Sequence, residues 1–253
     1  MDQQKIALVT GGSRGLGRST AISLAKKGVG VVFTYHSRED AAQEVVAEVE
    51  ALGGKAVSMQ LDSSNIALFP AFATMLKGQL LATWGRGNFD YLVNNAGIGT
   101  HTPISDFTEA EYDALMNLNV KGVFFLTQAL LPIIADGGSI VNISSGLARF
   151  SMPNTSVYAM TKGAIEVFTR VLAKECGARG INVNTVAPGA VETDFGNGRL
   201  RNSSELQKIV AQFTALGRHG QADDIGPMIA SLLSDANHWV NAQRIEVSGG
   251  MFI

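Results

Sequence analysis

The chain has 253 residues, 46% of them hydrophobic and 17% charged, with a formal net charge of −2. That balance supports a sizeable core and excludes a disordered chain. The lack of any basic surface argues against nucleic acid or an anionic membrane as a partner. The length fits one large α/β domain or two small ones, and the single cysteine, Cys176, excludes an internal disulfide and fits a reducing compartment.

In chain order, Met1–Lys5 lacks an apolar signal core, so no export signal is read and a cytoplasmic location is expected. Ile6–Val9 reads as a buried strand and is followed by a glycine-rich turn and a helix over Leu16–Lys27. Further strands are predicted at Gly30–Tyr35, Ala56–Met59, Tyr91–Val93, Ser139–Ile143, Ile181–Val186 and Arg244–Val247. Between them lie helical patterns at Glu39–Leu52, Ala67–Leu81, Glu109–Leu118, Val120–Ile134, Val157–Ala178, Ser204–Ala215 and Asp223–Leu233. Short continuous apolar runs alternating with helices predict right-handed βαβ units. The expected fold is therefore α/β, a doubly wound seven-stranded parallel sheet flanked by helices, in a single domain over 1–253. The longest strongly apolar stretch, Gly122 to Ala135, contains Pro132 and is too short to span a bilayer.

The first turn, Thr10-Gly11-Gly12-Ser13-Arg14-Gly15-Leu16-Gly17, joins a strand to a helix. Glycines there permit a tight turn and close approach of a phosphate to the backbone, and the free N–H groups of the helix start favour an anion. An ordinary glycine-rich turn has the same composition. Tyr158 and Lys162, four residues apart on one predicted helix, share a face. An unperturbed phenol ionises near pH ~10, so a neighbouring ammonium is expected to favour the phenolate and let the tyrosine exchange a proton closer to neutrality.

The spacing Thr-Gly-x-x-x-Gly-x-Gly resembles the short-chain dehydrogenase/reductase family. Further motifs carry the likeness over nearly the whole chain: Asn94-Asn95-Ala96-Gly97, Asn119-Val120-Lys121-Gly122, then Ser145, Tyr158 and Lys162, and Pro188-Gly189 with Thr193. The resemblance implies a Rossmann fold and hydride transfer between NADP(H) and a small ketone or aldehyde, or the corresponding secondary alcohol. Tyr158 would act as general acid and base, Ser145 would hold the carbonyl oxygen, Lys162 would also bind the nicotinamide ribose, and Asn119 would hold a proton-relaying water. Ser144 is the neighbouring alternative to Ser145. For the cofactor it implies Gly11, Ser13, Arg14, Gly15, Leu16 and Gly17 at the pyrophosphate, Asp62 at the adenine, Asn95, Ala96 and Gly97 after the fourth strand, and Pro188, Gly189, Val191 and Thr193 near the nicotinamide, with a turn cap as the other role open to Thr193.

The second strand ends in His36-Ser37-Arg38, with no carboxylate before Glu39, so Arg38, Ser37 and Arg14 are expected to favour the extra phosphate of NADPH over NADH. His36, His101, His219 and His238 are scattered, so no metal site is read. Phe150, Met152, Phe195 and Phe213 suggest a partly apolar substrate pocket under a lid from about 190 to 217, whose Gly196-Asn197-Gly198 reads as a hinge. A 3-oxoacyl-[acyl-carrier-protein] reductase is the second reading, disfavoured because Gly122–Ala148 has no Lys or Arg for an acidic carrier and only Arg179 remains nearby. A non-catalytic NADPH-sensing protein is the third. The resemblance also implies a homotetramer, with Val123, Phe124, Phe125 and Leu126 available either to an interface or to the core. Two departures from the family pattern stand out: an extended stretch Ala73–Asn88 and the Gly-free turn Asn241-Ala242-Gln243.

Overall fold

The computed structural model describes residues 3–253. Met1 and Asp2, part of the stretch read for an export signal, lie outside the described residues. The chain alternates β1 (Ile6–Val9), α1 (Gly15–Lys26), β2 (Gly30–Tyr35), α2 (Glu39–Ala51), β3 (Ala56–Gln60), α3 (Phe69–Trp84), β4 (Phe89–Asn94), α4 (Glu109–Met116), α5 (Val123–Leu130), β5 (Ile134–Ile143), α6 (Ser156–Cys176) and β6 (Asn182–Pro188). A short strand β7 (Val191–Glu192), a kinked turn α7 (Phe195–Gly198), α8 (Ser204–Gln212), a short strand β8 (Gly220–Gln221), α9 (Ala222–Leu232) and β9 (Arg244–Val247) complete it. Seven strands form one parallel sheet in the order β3-β2-β1-β4-β5-β6-β9, and β7 pairs with β8 outside it.

Alternate side chains of each strand enter opposite layers. Ala7, Val9, Val31, Phe33, Val93 and Val141 pack under α1, α2 and α9 through Leu24, Val45, Val49, Ile225 and Ile229. Ile6, Leu8, Val32, Leu92, Ile140 and Val183 pack against Phe69, Phe72, Leu76, Leu126, Leu130 and Leu172 of α3, α5 and α6. Sheet order reverses direction between β1 and β4, and the crevice beyond the carboxyl ends there is where such sheets bind ligands.

The strand and helix expectations agree with this architecture, with three differences. β5 begins at Ile134, earlier than its apolar run, because Gly137 at φ 71° lets the strand turn through Asp136–Gly138. The helices expected at 109–118 and 120–134 are joined by a π-helical turn, Asn117–Gly122, where Gly122 packs so closely that an added Cβ would lie 2.0 Å from the Ser63 carbonyl oxygen. Two helical runs, Ile66–Trp84 and Glu109–Ile133, are long and apolar enough by length and composition to cross a membrane, although Gly122–Ala135 alone had been judged too short. Both contribute core side chains to the layer that contains Phe69, Leu80 and Leu126.

The extended stretch 73–88 runs through most of α3, and its end, from Trp84 on, lies at the amino ends of β1 and β2. Trp84 covers Gly30, where a Cβ would come within 2.5 Å of the indole nitrogen. Arg86 pairs with the buried Asp90 and donates to the Gln4 carbonyl at 2.9 Å. Asp90 in turn accepts from the Ile6 N–H at 2.7 Å. The turn at Asn241–Gln243 keeps a left-handed residue without glycine, with Ala242 at φ 58°. Asn241 Oδ1 holds it by accepting from the Val183 and Ala242 N–H groups at 2.9 and 3.0 Å.

Candidate active site

The glycine turn and the end of β4 are fastened to each other. Thr10 Oγ1 accepts from the Asn95 and Ala96 N–H groups, both at 2.9 Å, and Asn95 Nδ2 donates to the Thr10 carbonyl at 2.8 Å. Gly11 is left-handed at φ 65°, and a Cβ on Gly17 would sit 2.3 Å from the Gly11 carbonyl oxygen. The first turn of α1 has no side-chain cap and no acidic residue. Its outward N–H groups and dipole therefore face the cleft without a protein carboxylate, an arrangement suited to a pyrophosphate. Gly11, Ser13, Arg14, Gly15, Leu16, His36, Ser37, Arg38, Asp62, Asn95, Ala96, Gly97, Pro188, Gly189, Val191 and Thr193 all line one cleft of about 1190 Å³, which also contains Ser145, Tyr158, Lys162, Phe150, Met152 and Phe195. Gly17 lies buried behind it, against Gly11.

At the adenosine end Asp62 closes a turn, accepting from the Ser64 N–H and hydroxyl at 2.9 and 2.7 Å, and these bonds lower its carboxyl pKa. Arg38 lines the cleft but is not free. Its Nε and Nη2 hold Asp40 at 2.9 and 2.8 Å, a carboxylate that the sequence reading of the strand end passed over. The pair is exposed, and exposed ion pairs are weak enough for a stronger anion to displace. Arg14 lies 3.9 Å from Asp194.

The inner end of the cleft is dry and tightly held. Lys162 is 6% exposed, and its Nζ donates to the Ile143 carbonyl at 2.9 Å. Burial pushes its pKa down to about 8. The Ser145 side chain pulls the Tyr158 phenol pKa down, yet burial outweighs it and pushes the phenol up to about 12. The expected lowering of the phenol by Lys162 is therefore not what the protein's own groups produce. Lys162 Nζ sits 5.5 Å from the centre of the Tyr158 ring, over its face and not at its hydroxyl. Ser145 Oγ also accepts from the Leu147 N–H at 3.2 Å. Ser144 turns inward, donating to Glu166 at 2.8 Å, which removes it as the alternative serine.

Asn119 stands in the π-turn with both ends of its carboxamide in use: Oδ1 accepts from the Ile98 N–H at 3.0 Å and Nδ2 donates to the Ile98 carbonyl at 2.8 Å. Its side chain thus fixes the backbone after Gly97. Thr193 Oγ1 accepts from the Phe195 N–H at 3.2 Å, so it does cap a turn while facing the cleft. Phe195 lies over Tyr158, ring centres 5.7 Å apart. Phe213 is not at the cleft but stacks on Phe252 at 4.9 Å, packing the lid base onto the tail. Arg179, the remaining basic candidate for a carrier, is engaged by Asp136 and by the Leu131 carbonyl. Cys176 is buried filler whose thiol pKa is raised by burial. Among the described residues no cluster of His, Cys, Asp or Glu is arranged to hold a metal. Sequence reasoning missed Ile98, Gly99, His101, Arg199, Leu200 and Met251 of the lining, which come together from three separate segments.

A doubly wound parallel sheet with a glycine cradle at the point where its order reverses defines a dinucleotide-binding class of α/β protein. Within that class, the family model described as enoyl-(acyl carrier protein) reductase matches residues 11–252. A hydroxynaphthalene reductase-like protein, Arp2, of Metarhizium brunneum is 37% identical over 97% of this chain and 94% of its own. The promiscuous reductase LugOII, which catalyses keto-reduction at C1 during lugdunomycin biosynthesis, superposes with a TM-score of 0.93 at 36% identity, covering 99% of both chains. The landomycin C-6 ketoreductase LanV, solved with NADP and rabelomycin, superposes with a TM-score of 0.90 at 34% identity over 99% of this chain and 97% of its own. The chain belongs to the short-chain dehydrogenase/reductase family and is an oxidoreductase of that type.

Proposed function

We propose that the protein is an NADP(H)-dependent carbonyl reductase in which Tyr158 supplies the proton. The observation that carries this reading is that the half-buried Tyr158 and Ser145 face the inner end of the cleft beside the buried Lys162, in the same cleft that the glycine cradle opens.

The dinucleotide fits the residues present. The cradle of Gly11, Ser13, Arg14, Gly15 and Leu16 would hold the pyrophosphate, with Gly17 allowing the helix to approach. Asp62 would meet the adenine. Asn95, Ala96, Gly97, Pro188, Gly189, Val191 and Thr193 would flank the ribose and ring, with Lys162 reaching the ribose. When bound, the dinucleotide supplies the hydride. The protein's part is to hold the carbonyl oxygen and deliver one proton. Two hydroxyls, Ser145 and Tyr158, converge to donate to that oxygen as it gains negative charge. A phenol held near 12 stays protonated throughout the neutral range, so it yields its proton only to the strongly basic oxygen of the reaction itself. That suits reduction. Lys162, charged below about pH 8, supplies the positive potential that stabilises the phenolate left behind.

His36, Ser37, Arg38 and Arg14 would take the extra phosphate of NADPH, with Arg38 exchanging Asp40 for it; NADP in LanV supports this choice. Phe150, Met152 and Phe195 favour a flat, largely apolar ketone or quinone-like substrate, a reading that the ketoreductase relatives support. The family model's description favours an acyl-carrier substrate instead, but Arg179 is already engaged and Gly122–Ala148 offers no other cation. A homotetramer is supported by Phe124, Phe125, Met160, Val167 and Val171, which stand exposed on α5 and α6. A cytoplasmic location rests on sequence alone.

Tyr158→Phe, assayed by NADPH absorbance with a panel of cyclic ketones, should lower kcat at least a thousandfold while NADPH binding stays within twofold. Retained turnover would reject the proton-donor role. Binding of NADPH without turnover of any panel member by the unaltered protein would favour a sensor.

A further inference from the structure

Ser145 is held from behind by charges that the reaction itself does not use. Arg244 of β9 directs its three guanidinium nitrogens at three different parts of the fold: Nε to Glu166 Oε1 of α6 at 2.6 Å, Nη1 to Glu246 Oε2 on its own strand at 2.9 Å, and Nη2 to the Ser145 carbonyl at 3.1 Å. The same Glu166 oxygen accepts from the Ser144 hydroxyl at 2.8 Å. Beyond Glu246 the chain of charges continues. Arg149 grips that carboxylate with Nε and Nη2, both at 2.8 Å, and donates to the Met251 and Phe252 carbonyls at 2.9 and 3.0 Å. Two arginines and two glutamates form a neutral unit, and the inner pair is largely buried, with side chains 22% and 14% exposed.

Such a unit is an expensive way to stabilise a fold, because apolar side chains of similar volume often hold as well or better. What it supplies is direction. A planar guanidinium fixes three acceptors in one plane, which a lysine cannot do. One of those acceptors is the carbonyl of the serine proposed to hold the substrate oxygen, and the preceding residue, Ser144, is tied to the Glu166 carboxylate that a second guanidinium nitrogen holds. The Ser145 backbone at φ −160° is extended and carries its hydroxyl out of the sheet end into the cleft.

We propose that Arg244 is a positioning residue for catalysis: it holds the Ser145 carbonyl while its partner Glu166 holds the Ser144 hydroxyl, so that the Ser145 hydroxyl is aimed at the substrate oxygen. The claim rests on the carbonyl-reductase reading above. Through Glu246 the same arginine is linked to Arg149, which holds the tail residue Met251 in the cleft wall. The aim of the serine and the shape of the pocket wall thus share one ionic unit.

The test is a double-mutant cycle on the full chain. Arg244→Lys keeps a cation beside Glu166 but cannot serve three acceptors. It should lower kcat about tenfold, with the NADPH dissociation constant, read by fluorescence, within twofold. Arg244→Met combined with Glu166→Gln removes both inner charges together and guards against misfolding from an unpaired buried carboxylate; it should show the same kcat loss with a melting temperature close to the parent. In a Ser145→Ala background, Arg244→Lys should cost nothing further. A kcat within twofold in Arg244→Lys, or a loss that adds fully to that of Ser145→Ala, would overturn the positioning role while leaving the reductase reading intact. If Ser145→Ala and Tyr158→Phe each turn over normally, the roles given to the two hydroxyls fail and take this inference with them; if the unaltered protein turns over no ketone, the reductase reading itself fails.

Discussion

The inner end of the cleft and its rim are built on opposite terms. Lys162, Asn119 and Ser144 are almost wholly buried, and each hydrogen bonds to backbone or to a buried carboxylate. At the rim, Arg14 and Arg38 have side chains 63% and 60% exposed, and Phe195 is 47% exposed at the start of three consecutive left-handed residues, Gly196, Asn197 and Gly198. A group that must meet a reacting atom within tenths of an ångström needs an over-determined position. A group that selects among ligands needs only proximity and can be held by weak, exposed contacts. Under the proposed function, reaction type belongs to the inner end of the cleft and cofactor and substrate choice to the rim, so the two should be separately mutable.

The sharpest way to break this contrast is pH. Lys162 has an ordinary value near 10.5 that burial brings down to about 8. As pH rises through about 8 it loses its charge in the folded protein while the unfolded chain stays protonated, so its contribution to stability grows up to the ordinary value. Turnover should move the other way, falling about tenfold per unit once the ammonium titrates. Opposite slopes for melting temperature and kcat between pH 8 and 10 are the expected result. Parallel slopes would show that the lysine charge has no part in the reaction. Next in size is the phosphate end. Arg38→Ala should weaken NADPH about tenfold and leave NADH within twofold, whereas Asp40→Asn, which frees the guanidinium, should tighten NADPH a few-fold. Equal losses for both dinucleotides would reject the phosphate role. The smallest effect is expected at the lid: removing half-buried apolar contact costs about 1 kcal/mol, so Phe195→Ala should raise KM for an apolar cyclic ketone about fivefold with kcat unchanged. A kcat loss of similar size would move Phe195 from the rim into the reacting geometry, through its contact with Tyr158.

Much of the inner end of the cleft was legible in the sequence because its signals are local. A strand, a glycine turn and a helix start lie within one dozen residues, and Tyr158 and Lys162 share a helix face by spacing alone. The doubly wound parallel sheet followed from the alternation of apolar runs and helical stripes, whereas its strand order came from the structure. What escaped depends on distant pairing or on competing forces. Arg38 was expected to meet the cofactor's extra phosphate, and nothing in the local pattern says that Asp40, one residue past Glu39, already holds its guanidinium. The phenol was expected to be lowered by its neighbour, but burial of both groups dominates, and the ammonium lies over the ring and not at the oxygen. Asn119 was expected to hold a water, and only the approach of Ile98, twenty-one residues away, shows that its side chain braces backbone. The Arg244 clamp joins residues nearly a hundred positions apart, and it exists because β6 and β9 pair in one particular register. Ala242 could not be foreseen in a left-handed turn, since nothing in the local sequence says that Asn241 will hold it.

The one thiol in the chain has a practical consequence. Cys176 is sealed in the layer beneath α6, and the two tryptophans stand elsewhere, Trp84 over Gly30 and Trp239 near the start of β9, neither lining the cleft. The natural polypeptide is already a silent background for maleimide chemistry: a single cysteine placed at Leu200, on the cleft side of the lid, would carry an environment-sensitive dye, and its emission would follow that segment alone.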